Sequence, residues 1–357
     1  MNYQQLIEST IVPERLSFEE KIECYKPIIQ IVDKMLPPKL YRFRNCSERH
    51  ISAFWKDELW FSNGSSMNDD FDARLYYDKK KIDEYLNSLI SKDRCLEVLN
   101  QFIAMDKIPT FIESIVPNAE YVLNQIKNMS QEQMTLVSVD FVNYIKNNRD
   151  DSLKNITSRV QALTKFACFS ENIDSDMMWG HYANSSSGFA IEYDFTNRDI
   201  RYMDESGNKS TIYCDLYPII YDNQRLDTTE YAMYLFKLDL LFQVVQLCGM
   251  PYIYQYASII FPCPDEFMGT KLALKKSSEW KSEKEWRMFY KTNNQFLSTQ
   301  QHSFVKQKPS AVYLGRKISN LNQKIIIDMA KEKNIPVFKM NFYDDIKTYR
   351  LDKYKME

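Results

Sequence analysis

Between residues 78 and 161 apolar side chains recur at spacings of three and four, through Ile82, Leu86, Leu89 and Ile90, then Leu96, Leu99 and Ile103, then Val122, Ile126 and Leu136. That period is the face of a helix, and no strand signal of comparable strength interrupts it. The flanks read differently. Short runs of strand character lie before the block at 40–44 and 59–62, and after it at 165–170, 188–195 and 216–221. A helical block with strands on both sides is expected to be an insertion, residues 78–162, into one domain spanning 1–357.

The remaining segments complete a mixed order. Ser17-Phe18-Glu19-Glu20 is a capping box that starts a helix running to Met35, kinked or interrupted at Pro27 and ended by Pro37 and Pro38. A helix is expected at 48–56 behind Ser47 and a short one at 176–184. Two more follow at 228–248 and 264–276, then strands at 283–291 and 311–314, a helix at 318–333 and a last strand at 336–342. Strands and helices do not alternate steadily as in a doubly wound sheet, so the fold class is α+β.

Composition excludes several classes of function. Lys and Arg number 46 against 48 Asp and Glu, a net charge of −2, so any polyanion site must be local. The seven cysteines show no CxxC pair and are odd in number, which fits reduced thiols used as small core residues. The first nine residues lack the apolar run of a signal peptide. The long uncharged stretch at 240–264 is broken by Gln243, Gln246, Pro251 and Gln255, so a membrane span is not expected and the location reads as cytoplasmic. Seven glycines yield neither GxGxxG nor GxxxxGK[ST], which removes the usual phosphate-cradling loops. Three histidines without HExxH or a cysteine pair give zinc no support, and no GxSxG elbow is present.

Four segments carry more chemistry than structure alone requires. In Leu40-Tyr41-Arg42-Phe43-Arg44, alternation sends Arg42 and Arg44 to one strand face, where two guanidinium groups suit a diphosphate or guard an edge. The second, 59–72, ends a strand at Ser62 and enters an acidic turn holding Asp69, Asp70 and Asp72, which reads as turn chemistry or as a metal-dependent nuclease site. The third joins Ser170 to Met178, Trp179, His181 and Tyr182, an aromatic face that is either core or a seat for a flat ring such as nicotinamide. The fourth is Glu283-Lys284-Glu285-Trp286-Arg287. An extended chain there puts Glu283, Glu285 and Arg287 on one face, as a solvated strand or as a site in which Arg287 keeps Glu285 ionised.

Taken in order, LYRFR, LWFSNGSSMNDDFDA, FACFSENIDSDMMWGHYANSSSGFAIEYD, YPIIYD, SSEWKSEKEWRMFY and VYLG resemble the DUF2971 family of bacterial proteins. The chain departs from it in having Asp70 where members often carry proline, and Ser186 where they carry a second histidine. The same motif order resembles the ADP-ribosyltransferase fold, which implies a mixed, mainly antiparallel sheet core. The resemblance further implies NAD as co-substrate, bound through Arg42 or Arg44, with Ser62 or Ser170 at the ribose. Trp179, His181, Tyr182 and Arg287 complete the cofactor site, Glu285 stabilises an oxocarbenium centre and Glu283 orients an acceptor. The implied role is a toxin or immunity effector that modifies an unknown protein or nucleic acid without a metal. The reading from another class is a non-catalytic module that binds nucleic acid or protein.

Overall fold

The computed structural model describes residues 1–108, 118–196, 201–203, 209–211, 216–247, 255–290, 303–342, 347 and 351–356. Cys214, Cys248, Pro251, His302 and residue 291 of the expected strand lie outside them.

Strands β1 (Leu40–Arg44), β2 (Glu58–Asn63), β3 (Lys165–Ser170) and β4 (Phe189–Tyr193) form the middle of the main sheet. Two short ribbons follow in sequence, β5 (Arg201–Met203) with β6 (Lys209–Thr211), and β8 (Ile220–Tyr221) with β9 (Lys275–Lys276), with β7 (Leu216–Pro218) between them in the chain. β10 (Glu285–Phe289), β11 (Ser303–Lys306), β12 (Ala311–Leu314), β13 (Val337–Asn341) and β14 (Asp352–Lys355) complete the set. The main sheet has ten strands in the order β11-β2-β3-β1-β4-β12-β13-β14, and β10 branches from β3 to carry β7. Within it β12 and β13 are parallel and the other pairs antiparallel. The expected α+β class with a mainly antiparallel sheet is therefore what forms.

One irregularity of this sheet makes the site. β10 covers one edge of β3 from Phe166 to Ser170. The other edge is shared: β2 pairs at Lys165 and Phe166, and β1 only at Ser170, opposite Tyr41. β1 and β2 thus part company along β3 and leave a gap between them.

Helices α1 (Tyr3–Ser9), α2 (Phe18–Met35) and α3 (Glu48–Trp55) pack on this sheet through Ile7, Ile28, Val32 and Phe54. The capping box forms as expected, with the Ser17 amide donating to Glu20 Oε2 at 2.8 Å and the Glu20 amide to Ser17 Oγ at 3.3 Å, and α2 runs unbroken through Pro27. The inserted block holds α4 (Lys79–Leu89), α5 (Lys92–Ala104), α6 (Ala119–Lys127) and α7 (Gln131–Leu163). Beyond it come α8 (Asp176–Tyr182), α9 (Thr229–Leu247), α10 (Ala257–Ile260), α11 (Met268–Leu274) and α12 (Asn320–Lys333). The block does not close its own core. Ile82, Leu86, Ile145, Leu153 and Ile156 pack with Ala232, Met233 and Phe236 of α9 and Leu272 of α11, which ties the insertion to the segment leading into β10. Val122 and Leu136, expected inside, are exposed, because α6 buries Leu123 and α7 buries Met134, Ser138, Val142 and Ile145. Among the described residues no helix is long and apolar enough to cross a membrane. Cys24, Cys46, Cys95, Cys168 and Cys263 are free thiols, each half-buried rather than enclosed.

Candidate active site

Strand register assembles the centre of the site. Tyr41 stands opposite Ser170 and Ser170 opposite Glu285, so the three form one row and share a sheet face. Cys168 and Arg287 make a neighbouring row on that face. α8 packs against it, its Met178 and Trp179 joining Tyr41 and Phe43 in a small core.

The expected strand at 283–291 begins late. A 3-10 turn covers Ser278–Glu283, Lys284 takes a left-handed φ of 46°, and β10 starts at Glu285. Alternation therefore does not place Glu283. The tight turn brings its carboxylate back beside that of Glu285, at a backbone cost of about 1–2 kcal/mol for a residue with a Cβ. Both carboxylates are buried and share one cation: Lys276 Nζ lies 2.7 Å from Glu283 Oε2 and 3.2 Å from Glu285 Oε2. Tyr182 donates its hydroxyl to Glu283 and accepts from the Asn68 side-chain amide at 2.9 Å. The Glu285 backbone amide donates to the Tyr221 hydroxyl at 2.8 Å.

Arg287 is wholly buried and makes four polar contacts. Its Nε and Nη2 donate to Glu285 at 2.7 and 3.0 Å, and Nη1 reaches Asp72 Oδ1 at 2.8 Å and the Ala273 carbonyl at 2.7 Å. Its guanidinium also lies 4.3 Å from the Phe166 ring centroid. Burial would raise the Glu285 carboxyl, but Arg287 and then Lys276 outweigh it and hold it at about 2. Asp72 goes the other way, pushed up by burial more than Arg287 draws it down. Glu285 is thus an ionised acid on a rigid strand, and Arg287 serves as its counter-ion.

Arg42 is the opposite case. It alternates away from Tyr41 and Phe43 into the gap between β1 and β2, where it donates to the Trp60 carbonyl and lies 5.9 Å from the Phe169 ring centroid. It is 5% exposed, its Nε has no hydrogen-bond partner, and among the described residues it makes no ion pair. Burial lowers its affinity for the proton. A buried guanidinium without a counter-ion is costly unless an anion comes to it. Arg44, half-buried, donates to the Phe43 carbonyl at 3.1 Å.

These groups border one cleft. Its wall takes in Arg42 and Arg44 from β1, Ser170 from β3, Tyr182 from α8, and Glu283, Glu285 and Arg287 from the β10 region. Its enclosed space is about 80 Å³, below the ~300–1,000 Å³ of most small-molecule pockets. One ring or one phosphate fits inside, and a longer ligand must continue over the mouth. A broader hollow on α5, between Asp93 and Ala104, is walled by that helix alone and brings no second element.

Other expected site residues lie elsewhere. Ser62 pairs with Phe166 in β2 and does not border the cleft. Trp179 is fully buried and donates its indole N–H to the Ile173 carbonyl at 2.7 Å, as a core residue does. His181 is exposed on α8, outside the wall. Ser170 does border the cleft, but its hydroxyl donates to the Glu283 carbonyl at 2.6 Å and accepts from the Asn172 amide at 3.1 Å, so it fixes the 3-10 turn. In the acidic turn Asp69 accepts from the Phe71 amide and Asp72 serves Arg287. Among the described residues no group of three His, Cys, Asp or Glu could hold a metal ion. Sequence reasoning missed Lys276, Asn68 and Tyr221. Lys276 fell at the end of an expected helix, where nothing marks a lysine as facing two acids.

Residues 178–288 match the family model described as a protein of unknown function, DUF2971. The likeness expected from the motifs is thus supported over that span, which runs from α8 to β10. It contains Tyr182, Lys276, Glu283, Glu285 and Arg287, and leaves out Arg42, Arg44 and Ser170. No curated protein and no solved structure matches the chain.

Proposed function

We propose that the cleft is the active site of an enzyme that cleaves NAD at the bond between nicotinamide and ribose, in the manner of an ADP-ribosyltransferase. The observation that carries this reading is the pairing of opposite charges at one small cleft: an ionised, immobile Glu285 and an Arg42 that makes no ion pair among the described residues. When the C1′–N1 bond breaks, its electron pair leaves with the pyridinium nitrogen and nicotinamide departs neutral. Positive charge grows on the ribose, and a preorganised carboxylate stabilises it without a proton transfer. Tyr41, Phe43, Met178 and Tyr182 offer a wall against which a flat ring packs. The diphosphate would lie toward Arg42 and Arg44, supplying the anion that Arg42 lacks. An acceptor, or water, then attacks C1′. Arg287 and Ser170 are engaged with the protein in this scheme, and they hold Glu285 and the 3-10 turn in place.

Nicotinamide release from NAD by wild type and Glu285→Gln tests the proposal. Release by wild type and its loss in the folded variant are expected. Equal release by both removes Glu285 from the chemistry. Free ADP-ribose as the product would mark water as the acceptor, and label carried on protein or nucleic acid a transferase.

A further inference from the structure

Lys276 belongs to a strand of two residues whose place is set by its neighbour. β9 pairs in parallel with β8, Tyr221 opposite Lys276, and the Asp222 amide donates to the Lys276 carbonyl at 3.0 Å. The side chain then runs inward, 2% exposed, under the Trp280 ring at 4.6 Å from its centroid. Its ammonium ends between Glu283 and Glu285 at 2.7 and 3.2 Å. The charged and titratable groups around it are Glu283 on the 3-10 turn, Glu285 and Arg287 on β10, Asp72 after β2, Cys168 on β3, Tyr182 on α8 and Tyr221 on β8.

Their charges are unevenly matched. Arg287 is shared by Glu285 and Asp72, and among the described residues Lys276 is the cation that touches Glu283. Two buried carboxylates this close cannot both stay ionised unless a cation lies between them. Lys276 thus joins Arg287 in keeping Glu285 charged, and its ammonium separates the two carboxylates. Glu283 has one oxygen on Lys276 and the other under the Tyr182 hydroxyl, so it is fixed rather than free to swing toward an acceptor.

We infer that Lys276 is a positioning residue of the proposed reaction, its ammonium bridging Glu283 and Glu285 so that the pair is locked in one arrangement and Glu285 stays charged. This rests on the NAD-cleaving reading for its consequence in turnover, but the ionisation claim stands apart from it. Two measurements on the full chain separate them. In the first, the acidic limb of nicotinamide release is expected to move up by at least about one pH unit in Lys276→Met. It should stay in place in Lys276→Arg and return in Lys276→Met/Glu283→Gln, where the like charge is gone. In the second, the side-chain carboxyl resonances of glutamate are titrated by NMR, and one is expected to titrate higher in Lys276→Met than in wild type. An unmoved acidic limb and unmoved carboxyl titrations in Lys276→Met would overturn the inference. Absence of nicotinamide release by wild type would remove the NAD reading and leave the NMR titration to decide the role of Lys276. Should Lys276→Met not fold, the double variant discriminates: its folding supports charge compensation, and its failure overturns the inference.

Discussion

Glu285→Gln removes one negative charge from between two buried cations, and the structure sets what that change costs. The carboxyl is held at about 2 against an ordinary 4.5. At 1.36 kcal/mol per pH unit, that difference corresponds to roughly 3 kcal/mol of folding stability at neutral pH. Loss of one partner of a buried pair costs about 3–5 kcal/mol in general, and the lower end suits this site because Asp72 remains on Arg287. The sign follows from the direction of the shift. A depressed acid contributes fully above its unfolded value near 4.5, and the contribution is lost as pH falls through the folded value near 2. Urea unfolding at pH 7 should therefore place Glu285→Gln about 3 kcal/mol below wild type. For a chain of 357 residues that is a fall in Tm of about 4 °C. The gap should narrow as both proteins are carried below pH 4.5. A variant within about 0.5 kcal/mol of wild type at pH 7, the range of an ordinary surface change, would refute the buried network as described.

Arg42→Met should leave the ligand-free protein as stable or stabilise it by about 1 kcal/mol, since an unpaired buried charge is removed, while calorimetry shows NAD affinity falling at least tenfold; a large loss of stability would reveal a counter-ion for Arg42. Tyr182→Phe removes a donor from a buried carboxylate and should cost about 1.5–3 kcal/mol in urea unfolding, and an unchanged midpoint would dissociate Tyr182 from Glu283. Gly188→Ala would set a Cβ 2.1 Å from the Arg44 carbonyl oxygen and 2.9 Å from that of Ala183. The backbone there has little room to yield, so a loss near 3 kcal/mol is expected from thermal or urea melts, and a neutral result would show that β1 and β4 can separate.

Much of this architecture was legible because it depends on local periodicity. The strand at Leu40–Arg44 and the helix at Phe18–Met35 follow from alternation and from a capping box, and both form within a residue of where they were expected. The insertion was readable as helical, but its inward faces were not, since α7 buries Ser138, Ser152 and Thr157 along with its apolar residues. A polar residue that packs leaves no hydropathy signal. For the site, alternation correctly set Glu285 and Arg287 on one face, and it failed at Glu283, where Lys284 leaves the extended conformation. Nothing in the neighbouring residues announces that turn; the hydroxyl of Ser170, 113 positions away, holds it by donating to the Glu283 carbonyl. Asp72 joins the carboxylates only through tertiary folding, across the whole inserted block, and Lys276, seven residues before Glu283, reaches both acids only because the 3-10 turn folds the chain back. That Arg42 makes no ion pair among the described residues is likewise a property of three-dimensional neighbours, because acids are plentiful nearby in sequence at Glu48, Asp57 and Glu58.

The most direct measurement is a crystal structure of the Glu285→Gln chain with NAD bound. The account places the nicotinamide ribose in the cleft, its C1′ within about 3.5 Å of the side chain at position 285, as a reacting geometry requires, with the diphosphate toward Arg42 and Arg44. NAD seated away from this cleft, or a cleft that stays empty at saturating NAD, would contradict it.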